Sequence, residues 1–571
     1  MLRKGELSRV LAHLSHGGHA LEDAGKKAGS VRSKEAPQVL LSEVVQASPE
    51  LAAEVGSTRF DYLFRSPLPI KTAHLPAGSS VKTTVKALNA LGDAMIEQDA
   101  DLTDPRQNSP IPPIYTYWGQ FIDHDLTANT DRDEVLRIDE PDPLQPVAPD
   151  DVVDQLRNLR NPALNLDSLY GDGPFAPTDD PEFVPYDGIK LRLGTLTPSP
   201  VGGALIPPVD DRHRDLPRVG ASTDPAESNP SRALIGDGRN DENLVIAQLH
   251  VAFMRFHNAA VDWVRANEPE RIGDGEVFLR ARDLTRWTYQ WLCIHDYLRT
   301  VTANGTVDRV LVDENDLLDL EHRGTYMPLE FSVAAFRFGH SMIRGSYDWN
   351  RNFGRPGNAG SANASFELLF TFTGKSPRPF FGTPTLPDNW PVEWDRMVDK
   401  NSLFSDRFAR RIDTHLAPPL KTLSNEGNQA GLDQRVKDLL KQLARRNLLR
   451  GWLLSLPTGQ AVADELGIPR LTAGEIEDSS PAVLKALRDG KMVDRTPLWF
   501  YLLKEAEVKA DGASLGPAGS QIVAATIIGQ VRHDPTSYLS QSSWTPSKGV
   551  RLPDGSPVRS IPDFLRFAGV L

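Results

Sequence analysis

Cysteine is almost absent from this chain. Cys293 is the single one in 571 residues, which excludes an intrachain disulfide and a cysteine-built metal site. Long apolar runs are missing too: the longest, such as Ile522 to Ile528, fall far short of the ~20 residues that cross a bilayer, so no membrane span is expected. The segment Met1 to Glu35 carries Arg3, Lys4, Lys26, Lys27, Arg32 and Lys34 but no apolar stretch, which excludes a secretory signal of the usual kind. The compartment implied is the cytoplasm, or the outside by a signal-less route. Positive charge is not in excess either. A net charge of −13 and a pI of about 5.5 leave no general surface for nucleic acid, and none is expected as a partner.

What is present is a globular composition, with 40% hydrophobic and 24% charged residues, and 45 Pro and 43 Gly that imply long structured loops. Residues 1 to 55 are rich in Ala, Gly, Ser and charge and read as an N-terminal extension, with weak helical stretches at Leu7 to Leu14 and Val39 to Val55. Residues 56–571 show no long flexible linker and read as one large domain. Its strongest periodic signals are helical: Asp241 to Ala266, Glu276 to Thr300, Leu329 to Ile343, Leu432 to Leu454 and Pro497 to Glu507. Strands are few and short, with one expected at Ile189 to Leu193. Asp131 to Asp154 and Thr195 to Asn229 are Pro- and Asp-rich, as surface excursions are. The fold class expected is mainly α, with few short strands and long Pro/Gly-rich loops.

Four segments carry candidate chemistry. In YTYWGQFIDHDLT, Tyr115 to Thr127, the helical period of about 100° per residue gathers Gln120, Asp123 and His124 on one side and Ile114, Tyr117, Trp118, Phe121 and Ile122 on the other. Pro112 and Pro113 mark where that helix begins. An amide, a carboxylate and an imidazole facing one spot read as a polar pocket, against a half-exposed helix with a solvated histidine. In GDGRNDENL, Arg239 and Glu242 stand one turn apart at the start of a buried helix, which offers either an anion site or a surface ion pair. In FSVAAFRFGHSMIRG, Val333, Phe336, His340 and Ile343 share a face, so His340 is either a satisfied core histidine or a shielded metal ligand. In the helix leading to Gly451, Val436, Leu440, Leu443 and Asn447 form one stripe. A buried Asn447 needs hydrogen bonds, and its side-chain oxygen could accept from an imidazole N–H; the alternative is a residue near a helix C-terminus.

Asp123-His124-Asp125, Arg239-x-x-Glu242, the FRFGH run ending at His340, and Asn447-x-x-Arg450-Gly451 occur in an order that resembles the animal-type haem peroxidases of the peroxidase-cyclooxygenase superfamily. The MRFHN run around His257 and the LPTGQ run after Gly451 are similar to its bacterial members. The likeness covers about Phe60 to Leu571. It implies haem b as cofactor and hydrogen peroxide as oxidant, with a ferryl state that then oxidises halide, thiocyanate or small aromatic donors. His124 would be the distal base, Arg239 its electrostatic partner and Gln120 the residue that places halide and water. His340 would be the proximal iron ligand, Asn447 the acceptor of its Nδ1–H, and Arg337 a partner for a haem propionate. Asp123 and Glu242 match carboxylates that form ester links to the haem; Asn243 stands where a subgroup has a methionine link, so that link should be absent.

The resemblance further implies calcium bound by Asp125 with Asn161, the carbonyl of Ala163, Asn165 and Asp167 on the loop RNPALNLDSLYG. Asn161 and Asn165 replace the usual hydroxyl and carboxylate, and a loop ordered by Asx turns alone is the alternative. Cyclooxygenase-type relatives need a tyrosine three residues before the proximal histidine. Arg337 stands there, which favours peroxidase over fatty-acid dioxygenase. A haem-free helical scaffold is the reading from a different class, and it would not need Gln120, His124, Arg239, His340 and Asn447 together.

Overall fold

The structure, a computed structural model, describes residues 58–571 apart from 76–80, 98–104, 129–144, 159, 172, 175–183, 200–209, 221–230, 314–316, 355–361, 375, 377–384, 424–425, 427–433 and 542–543. The segment read as an extension, 1–55, therefore lies outside the described residues, as do most of the two Pro- and Asp-rich stretches. Helix dominates the rest. The longest strand, Thr58–Asp61, pairs antiparallel with Arg157–Asn158 and parallel with Tyr326–Pro328. The strand expected at Ile189 to Leu193 shrinks to Lys190–Leu191, paired with Tyr186–Asp187.

Four helices build the centre. Helix α1, Ile114–Leu126, starts directly after Pro113, whose ring sets a helical φ and whose missing N–H costs nothing at a helix start. Helix α2, Leu244–Asn267, is capped by Asn243, whose side chain accepts from the amide of Ile246 at 3.1 Å. Helix α3, Asp274–Leu292, lies beside it, and the short helix α4, Ile561–Phe567, closes the far side. Their apolar faces meet in an aromatic cluster. Phe121 stacks on Phe253 with centroids 4.2 Å apart, Phe256 stacks on Phe564 at 4.4 Å, and Trp118 meets Phe564 edge-on at 5.4 Å. Each buried ring contributes roughly 1.5–3 kcal/mol, so the polar side of α1 is held in place by the side that faces away from it.

Three expected helices are interrupted, and the one expected at Glu276 to Thr300 passes from α3 into a π-turn over Cys293–Leu298. Leu329 to Ile343 is not one α-helix: a π-turn over Glu330–Ala334 gives way at Ala334, φ −128° and ψ −67°, to a 3₁₀ helix over Ala335–His340. Val333 and His340 therefore do not share the regular face that an unbroken helix would give. Leu432 to Leu454 divides into Gln434–Leu440 and helix α5, Leu443–Leu453, with Asn447 buried on α5. The helix expected at Pro497 to Glu507 is α6, Leu498–Ala510, and the apolar run Ile522 to Ile528 sits buried within Pro517–His533. Among the described residues no helix is long and apolar enough to cross a membrane.

Candidate active site

A cavity of about 200 Å³ is lined by Gln120, Asp123 and His124 from α1, by Arg239, Glu242 and Asn243 from the turn before α2, by Arg337 and His340 from the 3₁₀ helix, and by Asn447 from α5. Segments separated by more than 300 residues thus converge on one space. Phe336, Met342, Ile343, Phe366 and Phe370 make much of the remaining wall apolar, while Arg446 and Arg450 add guanidinium groups.

On the α1 side, His124 is 2% exposed, and its Nδ1 lies 2.8 Å from Oδ1 of Asn240. Burial, with the Arg239 charge adding to it, pushes the imidazole down to about 4, so it is neutral near pH 7. Arg239 meets Asp237 rather than Glu242. Its Nη2 lies 2.6 Å from Asp237 Oδ2, and the same nitrogen donates to the His124 carbonyl at 2.8 Å. Arg160 pairs with that same oxygen of Asp237, Oδ2. Burial pushes the Asp237 carboxyl up, but the two guanidinium groups outweigh it and hold the group well below the usual carboxylate range. The anion that a buried arginine requires is therefore supplied from within, by a residue in the 3₁₀ turn Gly238–Asp241 and its cap.

Gln120 links the distal wall sideways. Its Nε2 donates to Glu242 at 3.3 Å and its Oε1 accepts from Asn243 at 3.1 Å. Asn243 thus caps α2 with its oxygen and holds Gln120 with its nitrogen. Asp123 pairs with Arg337 at 3.1 Å and accepts from Thr127. Burial raises its carboxyl, yet Arg337, His124 and Arg239 together leave it lowered.

Across the cavity, Asn447 Nδ2 stands 2.8 Å from His340 Nδ1, so the amide donates and the ring accepts. The sequence expectation is the reverse polarity, with the amide oxygen accepting. The two ends of a terminal amide are nearly the same size, so a half-turn about its last bond reverses the pair without steric cost. A neutral ring that binds metal through Nε2 carries its hydrogen on Nδ1 and requires that turned amide. Arg337 is fixed by its Nε to the Ser332 carbonyl at 2.8 Å, and its own carbonyl accepts from Trp499 of α6 at 3.2 Å. Burial and then Arg337 push His340 down to about 3.

The residues fit a haem. Two neutral histidines on separate elements, an apolar rim and guanidinium groups suit a flat, largely apolar dianion whose metal one of the histidines would hold.

The five residues expected at calcium lie outside that cavity lining. Asp125 Oδ2 accepts from the amide of Leu166 at 3.2 Å and Oδ1 from Ser168 at 3.3 Å. Asp167 faces it and pairs with Arg160 at 3.2 Å. Burial pushes both carboxyls up, and for Asp125 the neighbouring Asp167 charge adds to it. Ala163 O accepts from Gln290 at 3.1 Å, and Asn165 Oδ1 accepts from the Asp167 amide at 3.2 Å. Among the described residues no group of three or more His, Cys, Asp or Glu could hold a metal ion.

Sequence reasoning passes over Asp237, Asn240 and His250. The polar run GDGRNDEN ahead of a buried helix was the available signal, because so many polar groups entering a core must satisfy one another.

The animal haem peroxidase family model matches residues 190–372, a stretch that holds Arg239, Glu242, Arg337 and His340 but not His124 or Asn447. Among curated proteins the chain is 28% identical over 138 residues to heme peroxidase 2 of Caenorhabditis elegans, covering 23% of this chain and 19% of that one. It is 26% identical over 295 residues to a peroxidase-like protein of Margaritifera margaritifera, covering 45% and 35%. The aligned regions thus span about a third or less of these relatives. Among solved structures, peroxidase A from Dictyostelium discoideum superposes with a TM-score of 0.51 at 18% identity, over 79% of this chain and 83% of that one. The fatty acid alpha-dioxygenase of Oryza sativa gives 0.51 at 13%, over 87% and 78%. At such identities these likenesses establish the fold, which is mainly α with few short strands. Family match, curated relatives and fold agree in direction: residues 190–372 match the animal haem peroxidase family, and parts of the chain are similar to peroxidases.

Proposed function

We propose that the chain is a haem peroxidase that reduces hydrogen peroxide and oxidises halide, thiocyanate or small organic donors. The observation that carries this reading is that His124 and His340, 216 positions apart in the chain, line one cavity, each with Nδ1 engaged by an asparagine. Haem, when bound, supplies the redox chemistry by which the O–O bond is broken. His340 would hold it through Nε2, with Asn447 turned to accept from Nδ1. His124, neutral and buried, takes a proton from peroxide at Nε2 and returns it to the departing oxygen. Arg239 supplies positive charge beside that oxygen, and its orientation is fixed by Asp237.

Asp123 and Glu242 are the carboxylates that would form ester links to the haem. Asp123 faces the cavity from the Arg337 pair and Glu242 from the Gln120 bond. Asn243 is committed to capping α2, so a third link is missing, which ranks iodide and bromide ahead of chloride as donors. Calcium belongs to the same proposal, held by Asp125, Asn161, Ala163, Asn165 and Asp167. It rests on charge: two facing carboxylates, Asp125 buried and Asp167 partly exposed, share one nearby guanidinium, that of Arg160, which Asp237 also takes. The described domain is read as residues 56–571.

The test is a Soret band on haem loading, followed by stopped-flow reaction with hydrogen peroxide and turnover with chloride, bromide, iodide, thiocyanate and a phenol. A chloride rate above all others would overturn the donor ranking. Absence of a Soret band after supplementation would overturn the peroxidase reading. Fatty-acid dioxygenation is the second reading, because Tyr115, Tyr117 and Tyr297 also line the cavity even though Arg337 occupies the position three before His340. Oxygen uptake with linoleate decides it.

A further inference from the structure

We infer that Asn240 is a positioning residue that sets the tautomer of His124 and couples it to the buried ring of His250, so that the two rings hold opposite tautomers. The chemical consequence rests on the peroxidase reading; the geometry does not. Asn240 and His250 are both 0% exposed, Asn240 in the turn before α2 and His250 on α2 itself. The amide stands between two rings: Oδ1 is 2.8 Å from His124 Nδ1, and Nδ2 is 3.0 Å from His250 Nδ1.

A terminal amide accepts at one end and donates at the other, so the two rings cannot hold the same tautomer. Facing Oδ1, His124 must carry its hydrogen on Nδ1, which leaves the Nε2 lone pair for a proton. Facing Nδ2, His250 must offer a lone pair at Nδ1, so its hydrogen is on Nε2. That Nε2 is buried and has no hydrogen-bond partner. With the amide turned, His250 would instead carry its hydrogen on Nδ1 and present a lone pair at Nε2, so the tautomer of His250 follows that of His124, which as a base must carry its hydrogen on Nδ1. Turning the amide would exchange both tautomers and put the hydrogen of His124 on Nε2, where it can no longer accept a proton. Arg239 does not make this choice, since its bond goes to the His124 carbonyl rather than the ring. Asp123 and Asp237 supply charge around the pair, but they accept from arginines, Thr127 and a backbone amide, and neither presents a donor.

The test compares Asn240→Leu, similar in size but without donor or acceptor, with Asn240→Asp, which keeps an acceptor on each side. The first readout is the ¹⁵N imidazole spectrum of His124 in the diamagnetic carbon-monoxide complex of the haem-loaded chain, assigned by its loss in His124→Gln. The second is cyanide capture by the ferric form, which needs a base for the proton of HCN but no turnover. Wild type and Asn240→Asp are expected to carry hydrogen on Nδ1. Asn240→Leu is expected to shift it to Nε2 and to slow cyanide capture by about tenfold or more, the low side of what a lost general base gives.

A packing role predicts the opposite order, with Leu tolerated and a buried Asp harmful. Asn240→Leu keeping Nδ1–H, or Asn240→Asp proving no better than Leu, overturns the inference. Should Asn240→Leu not fold, His250→Phe serves in its place: it removes the ring whose tautomer is coupled to that of His124, and a mixture of His124 tautomers is expected where a single unchanged one would refute the coupling. If the chain takes up no haem, the peroxidase reading fails at that step, and the same spectrum of the haem-free protein still decides the tautomer.

Discussion

The two walls of the cavity are built differently. The distal wall is two continuous α-helices and a capped turn, cross-linked by Arg160–Asp237–Arg239, His124–Asn240–His250 and Gln120–Glu242/Asn243. The proximal wall is a π-turn followed by a 3₁₀ turn, and the His340 ring is paired there with one amide, that of Asn447. A proton shuttle works only if its nitrogen stays within hydrogen-bond reach of a moving proton, so several bonds fixing each group serve it. A ligand to iron is fixed chiefly by the iron, and one adjustable amide suffices. On the peroxidase reading proposed above, the difference teaches that the distal wall is organised by the protein itself, whereas the proximal wall would be completed by what it binds.

The largest expected effect separates the walls outright. His340→Ala is expected to abolish stable haem uptake, read as loss of the Soret band after gel filtration. His124→Ala is expected to retain the band but to react with hydrogen peroxide about 10²–10⁴-fold more slowly in stopped flow. Normal peroxide kinetics in His124→Ala would remove the proposed base, and firm haem binding by His340→Ala would make the walls equivalent.

Next comes a contrast in stability. Asp237→Asn leaves two buried guanidinium groups facing a neutral amide, and breaking such a pair costs about 3–5 kcal/mol. Asn447→Leu removes one neutral hydrogen bond on the proximal wall, worth about 0.5–1.5 kcal/mol. Urea unfolding of haem-free samples measures both. Equal losses would mean that the distal wall is no more self-organised than the proximal one.

How much was legible in the sequence follows the same division. Helix α1 obeys one period from Ile114 to Leu126, so Gln120, Asp123 and His124 could be placed on a common face before any coordinates. The region around His340 changes from π to 3₁₀ winding at Ala334, and a sequence written in mixed periods gives no angle for its side chains. Arg239 and Glu242 look like partners at helical spacing, but the turn before α2 is 3₁₀ and brings Arg239 to Asp237, two residues back. Asn243 read as an absent methionine; only the fold shows it as the cap that also holds Gln120. The polarity of Asn447 was not legible at all, because the two ends of an amide occupy the same space.

The smallest effect is one of acidity, and it tests whether the distal wall depends on a neutral His250. Burial pushes His250 down to about 3 and His257, also on α2 but bound to Tyr170 and the Ile189 carbonyl, down to about 4. Both rings therefore bind fewer protons folded than unfolded. Their contribution is fully present above the unfolded value of about 6.5 and is lost as pH falls from there toward about 4, at roughly 1.4 kcal/mol per pH unit for each ring. His250→Phe should remove one ring's share of that slope, so that its urea midpoint falls less steeply than that of wild type between these limits. His257→Phe should do the same away from the cavity, as the matched control. A slope unchanged in His250→Phe but reduced in His257→Phe would mean that His250 accepts a proton without loss, and the hydrogen-bonded chain from α1 to α2 would then not be what holds the distal wall rigid.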